Sequence, residues 1–127
     1  MNRVEVEWKH LDQEGQTCDR CAQTGAGVAE VVRQLATECG MKGVEIVFTE
    51  TLLSAAEIEQ SNLVLINGVA LEEILPEATA SESSCCSCSE LTGREESCRT
   101  IVRFGMVHEA LPPQFIREAI CRAAKCC

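Results

Sequence analysis

Residues 4–21 of this chain read VEVEWKHLDQEGQTCDRC, and this stretch decides the fold that the sequence predicts. Val4, Val6 and Trp8 alternate with charged residues, which is the pattern of a half-buried β-strand. A polar loop containing Gly15 follows, and the stretch ends in two cysteines separated by two residues. The strand therefore leads, through one loop, to a dithiol.

A helix is predicted immediately after this dithiol. Val28, Val31, Val32 and Leu35 recur at helical spacing, and Gly40 supplies a stop signal. The C-x-x-C pair is consequently expected at or just before the start of a helix. In α/β folds, such strand-to-helix switches are where reactive residues are placed.

The rest of the chain predicts one α/β domain over residues 1–127, with a small mixed β-sheet. Between 77 and 98 the composition becomes rich in Ser, Glu, Ala and Thr, which favours a surface insertion without much regular structure. A flexible tail is expected at 122–127. The other predicted elements are a strand at 44–49, a capped short helix at 55–60, a strand buried on both faces at 63–66, a helical turn at 71–75, a hairpin at 100–109 and a last helix opened by Pro112 and Pro113.

Composition narrows the classes of partner. The chain has 127 residues, ten of them cysteine, and a net charge of −9. This charge disfavours nucleic acid and anionic membranes, and no apolar run approaches the length of a membrane span. The first eight residues lack the apolar stretch of a signal peptide, so a cytoplasmic location is expected. In a reducing cytosol, clustered cysteines more often bind metal or do redox work than form structural bridges.

Several stretches resemble a family of small, cysteine-rich prokaryotic proteins of unknown function. They are Val6–Leu11, Thr17–Cys21, Glu57–Asn62, Leu65–Gly68 and Cys98–Thr100. The order of strand, C-x-x-C and helix is similar to that of the thioredoxin-like fold. The resemblance implies this fold and a set of thiols, without an agreed reaction.

One departure from thioredoxins bears on function. Their cis-proline would fall at 60–62, where this chain has Gln, Ser and Asn. In thioredoxins this proline shapes the substrate groove and crowds out metal. Its absence weakens the expectation of ordinary disulfide exchange and leaves room for a bound ion.

Cys18 and Cys21 are the candidate catalytic residues. A helix N-terminus stabilises a thiolate, so Cys18 is predicted to be the more exposed, attacking thiol and Cys21 the resolving one. Arg20 adds positive charge, and His10 would either assist proton transfer or be an ordinary surface histidine. The alternative is that the pair forms half of a zinc site.

A second group of thiols comprises Cys85, Cys86, Cys88 and Cys98, which are the candidate metal ligands. Four thiolates complete a tetrahedral zinc shell, and Cu(I) or a cluster would also accept them. Alternatively, one zinc ion would bind Cys85 and Cys88 together with Cys18 and Cys21. Two further alternatives are a relay that resolves a disulfide formed at Cys18 and a flexible loop with free thiols.

The remaining cysteines carry weaker signals. Cys39 and Cys121 lie near apolar helix faces, which favours buried residues that act as small hydrophobes. Cys126 and Cys127 are expected in a frayed tail.

The sequence predicts thiol chemistry and leaves two functions open. The first is a thiol–disulfide redox protein acting on a thiol-containing protein. The alternative is a protein that binds or traffics a soft metal, zinc or another thiophilic ion, through the same thiolates. No serine-hydrolase elbow, P-loop or dinucleotide-binding glycine motif is present.

Overall fold

A computed structural model describes residues 2–60 and 62–127, without the side chains of Ile58, Glu59, Cys86 and Ser87. Ser61, in the position compared with the thioredoxin proline, lies outside the described residues. The elements in chain order are β1 Asn2–Leu11, α1 Asp19–Gly40, β2 Val44–Leu53, a 3-10 helix Ala55–Gln60, β3 Leu63–Ile66, β4 Val69–Ala70, α2 Leu71–Ile74, β5 Ala78–Ser84, α3 Cys86–Thr92, β6 Ser97–Arg103, β7 Met106–His108 and α4 Pro113–Ala124.

The first sheet has four strands in the order β2-β1-β3-β4. β1 pairs in parallel with β2 and antiparallel with β3, so Val6 lies between Phe48 and Ile66. Val4, Val6 and Trp8 are buried, as the alternation in the sequence predicts. The predicted α/β class with a small mixed sheet is thereby confirmed.

α1 lies against this sheet through a stripe that includes Val28, Val31 and Leu35. Gly25 allows the closest approach, because a Cβ atom there would lie 2.2 Å from Cη2 of Trp8. The helix and the first strand are therefore in contact at a point where only glycine fits.

β3 is only half buried, although its continuous apolar run predicts burial on both faces. Val64 and Ile66 are buried, whereas Leu63 and Leu65 remain partly exposed. The strand lies inside the sheet between β1 and β4, but its second face is incompletely covered. A central position in the sheet therefore does not guarantee burial on both faces.

The segment 77–98 contains regular structure, which the sequence does not predict. β5 pairs antiparallel with β6 from Ala78↔Arg103 to Ser84↔Ser97, and β7 completes a three-stranded sheet. β5 is an edge strand with most of its residues exposed, so its Ser and Glu residues are compatible with a strand. The polar composition reflects the exposed faces of this strand rather than a loop.

α4 begins at Pro113, directly after Pro112, as predicted, and buries Ile116, Ala119 and Ile120. It lies close to α1 at Gly27, where a Cβ atom would be 3.4 Å from the ring of Pro113. The tail predicted to be flexible begins inside this helix, which continues to Ala124. Within the described residues, no helix is both long and apolar enough to span a membrane.

Candidate metal-thiolate centre

Cys18 occupies the N-cap of α1, confirming the predicted position of the dithiol at a strand-to-helix turn. Its backbone is extended, and its sulfur accepts a hydrogen bond from the Cys21 backbone N–H at 3.3 Å. The cysteine thus takes the place of the Ser or Asp that usually caps a helix. Its sulfur is fixed next to the positive end of the helix dipole.

Three further thiols come from the second sheet and the helix beside it. Cys85 is the N-cap of α3, Cys88 lies within α3, and Cys98 lies on β6. The Cys85 backbone N–H donates to the Glu96 carbonyl at 2.9 Å, and the Glu96 backbone N–H donates to Ser89 Oγ at 2.9 Å. These bonds hold α3 against the start of β6.

The sulfurs of Cys18, Cys85, Cys88 and Cys98 all lie within 4.8 Å of one another, and we call this group the buried thiol cluster. The Cys88 and Cys98 sulfurs are 3.0 Å apart. None of the four residues is more than 4% exposed, and none is disulfide-bonded. Four thiols therefore converge on one point below the surface.

The buried thiol cluster contains residues from both groups of cysteines predicted from the sequence. It matches neither of the two four-cysteine zinc sites considered there. Cys18 joins Cys85, Cys88 and Cys98, whereas Cys21 is not among the grouped sulfurs. The side chain of Cys86 lies outside the described part of the chain. Spacing grouped Cys85, Cys88 and Cys98 but could not add Cys18 alone to them, because it is the contact of α1 with α3 and β6 that brings Cys18 to the other three.

Arg20 links the first turn of α1 to the second sheet, a contact that sequence reasoning missed. Its guanidinium donates to the carbonyl of Cys98 at 3.2 Å and to that of Ser84 at 3.1 Å. It also lies 3.7 Å from Glu109 Oε2, and only 8% of the residue is exposed. Arg20 therefore positions the strand that carries Cys98, in addition to contributing positive charge.

The thiols of the cluster hold their protons unequally. Hydrogen bonds from the thiols of Cys21, Cys88 and Cys98 lower the pKa of Cys18, with the Cys21 bond as the largest cause. The pKa of Cys88 and that of Cys98 are raised, first by the hydrogen bond that each shares with Cys18 and further by burial. Cys18 is consequently the thiol of the group that loses its proton most readily, while Cys88 and Cys98 hold theirs more strongly than an ordinary cysteine does.

The dithiol is less accessible than the sequence suggests. Cys18 and Cys21 are both 0% exposed, so the prediction that Cys18 is an exposed attacking thiol is wrong. The reason is tertiary, since α3 and β6 cover the helix N-terminus that would otherwise face solvent.

His10 is a buried residue at the end of β1 rather than a surface histidine. Its ring stacks on Trp8 with centroids 3.8 Å apart, and Nδ1 lies 3.0 Å from the Leu11 carbonyl and 3.1 Å from Thr17 Oγ1. Nε2 lies 3.5 Å from Glu50 Oε2. The ring therefore supports the loop just before Cys18.

The cysteines expected in the core or in a frayed tail form disulfides instead. Cys39 is bonded to Cys126, and Cys121 is bonded to Cys127. Cys39 is buried, as predicted, but it does not act as a simple hydrophobe. Cys126 is also buried, which contradicts the expectation of a frayed tail. We call these four residues the disulfide cluster.

Comparison with known proteins agrees with the resemblance seen in the sequence. Residues 4–120 match the domain of unknown function DUF2703. The chain belongs to this family. It is also 32% identical over 103 residues to an uncharacterized protein of the archaeon Archaeoglobus fulgidus, covering 78% of this chain and 72% of that one. No solved structure matches the chain.

Proposed function

We propose that this protein binds a soft metal ion, with zinc as the first candidate, through Cys18, Cys85, Cys88 and Cys98. The observation that carries the proposal is the mutual approach of these four sulfurs to within 4.8 Å. Thiolates are the preferred ligands of zinc and of other thiophilic ions such as Cu(I).

The distances within the cluster fit a tetrahedral ion. Zinc–sulfur bonds of about 2.3 Å place neighbouring sulfurs about 3.8 Å apart around the metal. The Cys88 and Cys98 sulfurs, at 3.0 Å, are closer than this, and no pair in the group exceeds 4.8 Å. Small side-chain rotations would therefore bring the four sulfurs to ligand positions.

The burial of the cluster favours a site that holds its metal rather than one that activates water. Catalytic zinc keeps an open coordination position, whereas structural zinc has four protein ligands. Here four thiols already fill the shell, and all four are buried. A retained zinc ion would join α1, α3 and β6 and so contribute to folding.

The fold and location belong to the same proposal. The parallel β1–α1–β2 unit, followed by antiparallel β3 and β4 and by a helix beside α1, is similar to a thioredoxin-like core and supports that assignment. A cytoplasmic location would keep the cluster reduced and able to bind metal.

Metal analysis of protein purified without oxygen tests the proposal. We expect one tightly held zinc ion in wild-type protein whose two disulfides are intact, and a Co²⁺-substituted form with the strong visible absorption of tetrahedral thiolate coordination. Cys88→Ser should weaken binding more than about a hundredfold, because even residues that only orient metal ligands contribute about 10–100-fold.

Cys21→Ser is the matched control, since Cys21 lies beside Cys18 but outside the ligand set. It should retain the zinc ion and the cobalt spectrum. Equal zinc affinity in wild type and Cys88→Ser would refute the proposed ligand set.

Thiol–disulfide exchange is the second candidate, favoured by the lowered pKa of Cys18 at a helix N-terminus. The Cys18 thiolate would attack a disulfide of a partner protein and release one partner thiolate. The Cys21 thiolate would then attack the mixed disulfide, leaving a Cys18–Cys21 disulfide and a fully reduced partner. Two electrons pass to the partner in this sequence.

Burial places exchange second, because a protein disulfide reaches Cys18 only after the cluster opens. Exchange requires Cys21, whereas metal binding requires Cys88. Insulin reduction with a dithiol as electron source distinguishes them. Turnover lost in Cys21→Ser and retained in Cys88→Ser would favour the redox function.

A further inference from the structure

The disulfide cluster lies at the opposite end of α1 from the buried thiol cluster. Cys39 is in the last turn of α1, and Cys121 is in α4. In this cluster the sulfurs of Cys39, Cys126 and Cys127 lie within 4.8 Å of one another. The fourth sulfur, that of Cys121, is bonded to the Cys127 sulfur. Within the described part of the chain, the buried thiol cluster and the disulfide cluster are the two places where three or more possible metal ligands lie close together. In both places these residues are all cysteines.

A single backbone reversal creates this arrangement. Lys125 adopts a left-handed conformation, with φ of 55°, at the end of α4. Its backbone N–H donates to the Cys121 carbonyl at 2.8 Å. The chain therefore turns back, so that Cys127 meets Cys121 and Cys126 reaches Cys39 on the neighbouring helix.

We propose that the disulfide cluster is a second site for a soft metal ion once its two disulfides are reduced. Oxidation to the disulfides abolishes metal binding at this site. Reduction by two equivalents of a dithiol transfers four electrons and four protons, which breaks both S–S bonds and leaves four thiols. The dithiol leaves as two cyclic disulfides. Metal binding then displaces protons from the thiols that become ligands.

The geometry fits a thiolate shell. After reduction the paired sulfurs separate towards the spacing of about 3.8 Å expected around a tetrahedral ion with bonds of about 2.3 Å. Three of the sulfurs already lie within 4.8 Å of one another. The Cys121 sulfur is not one of these three, so a fourth ligand requires movement of its side chain and of the short segment after Lys125.

The surroundings also suit a bound thiolate complex. Four thiolates around a divalent ion carry a net charge of about −2, which nearby cations stabilise. Lys42 and Arg117 line the same surface groove as Cys126 and Cys127, and Arg117 also pairs with Glu38 at 2.8 Å. Cys127 is exposed, so a small dithiol and a metal ion can reach the cluster.

This second site is separate from the site of the proposed function. α1 has 22 residues, and a helix of that length is about 33 Å long. Thiols at its two ends cannot share an ion. Either site can therefore be lost without the other.

Zinc titration of oxidised and dithiol-reduced protein, both kept free of oxygen, tests the inference. The oxidised sample has both disulfides verified by mass spectrometry. We expect reduced protein to bind one zinc ion more than oxidised protein. Cys88→Ser should retain this reduction-dependent ion, and the double variant Cys126→Ser/Cys127→Ser should lose it.

Cysteine alkylation of reduced wild-type protein gives a readout that does not depend on a variant folding. Zinc should slow alkylation of Cys126 and Cys127 at least tenfold, as measured by mass spectrometry. Equal zinc stoichiometry before and after reduction, or equal alkylation of these cysteines with and without zinc, would overturn the inference.

Discussion

Both cysteine clusters bring at least three sulfurs within 4.8 Å of one another, but they differ in bonding. In the buried thiol cluster, four sulfurs within 4.8 Å remain free thiols. In the disulfide cluster, the sulfurs are joined in two pairs. The first cluster is held in place by hydrogen bonds and packing around it, and the second holds its own chain segment in place. Proximity of thiols alone thus does not determine their role.

The largest effect is expected from breaking the long-range disulfide. Cys39→Ser opens a bridge between residues 87 apart, and loop-closure entropy predicts a loss of about 4–5 kcal/mol from the free energy of unfolding. Cys121→Ser opens a bridge across only 6 residues and should cost about 2 kcal/mol. Urea unfolding under non-reducing conditions measures both, and equal losses would contradict this account.

The next effect compares the two ends of α1. Gly25→Ala introduces a Cβ atom 2.2 Å from the Trp8 ring, and overpacking of this kind should cost about 2–3 kcal/mol. Gly40→Ala meets no atom within 4 Å and should instead stabilise the chain by about 0.5–1 kcal/mol. Thermal unfolding of the two variants measures whether their effects on stability have opposite signs. A Gly25→Ala variant as stable as wild type would contradict the prediction and mean that the Trp8 ring moves aside freely.

The pH dependence of zinc affinity tests whether the free thiols of the buried thiol cluster, unlike the bonded sulfurs, exchange protons for metal. Cys88 and Cys98 keep their protons in the metal-free protein, because their pKa values are raised. Zinc must displace these two protons, so its affinity should rise at least about a hundredfold per pH unit over the neutral range. Competition with a chelator measures this slope in protein whose disulfide cluster is oxidised. A slope of one proton or fewer would show that Cys88 and Cys98 are not both ligands.

The smallest effect concerns the arginine beside each cluster. Arg20→Met removes the bonds to the Cys98 and Ser84 carbonyls and should weaken zinc binding at the buried thiol cluster about 10–100-fold. Arg117→Met, near the disulfide cluster, should leave that affinity unchanged. Chelator competition compares the two, and equal effects would mean that Arg20 acts only through general charge.

Local patterns predicted much of the fold. The alternation at Val4, Val6 and Trp8 gave a strand, the spacing after Cys21 gave α1, and residues 63–66 gave β3 with the observed bounds. Prediction failed at β5, because an exposed edge strand has little apolar signal. The site was predicted only in parts. The place of Cys18 and the grouping of Cys85, Cys88 and Cys98 were predictable, but the exact set of four sulfurs was not.

The sequence by itself determined that this is an α/β chain of the DUF2703 family with a dithiol at a strand-to-helix turn. These properties depend on residues close together in the chain, where periodicity and helix-capping signals act. Only the tertiary structure decided that Cys18 meets Cys85, Cys88 and Cys98, and that Cys39 meets Cys126. Such contacts depend on how helices pack against sheets, and sequence spacing carries no record of that packing.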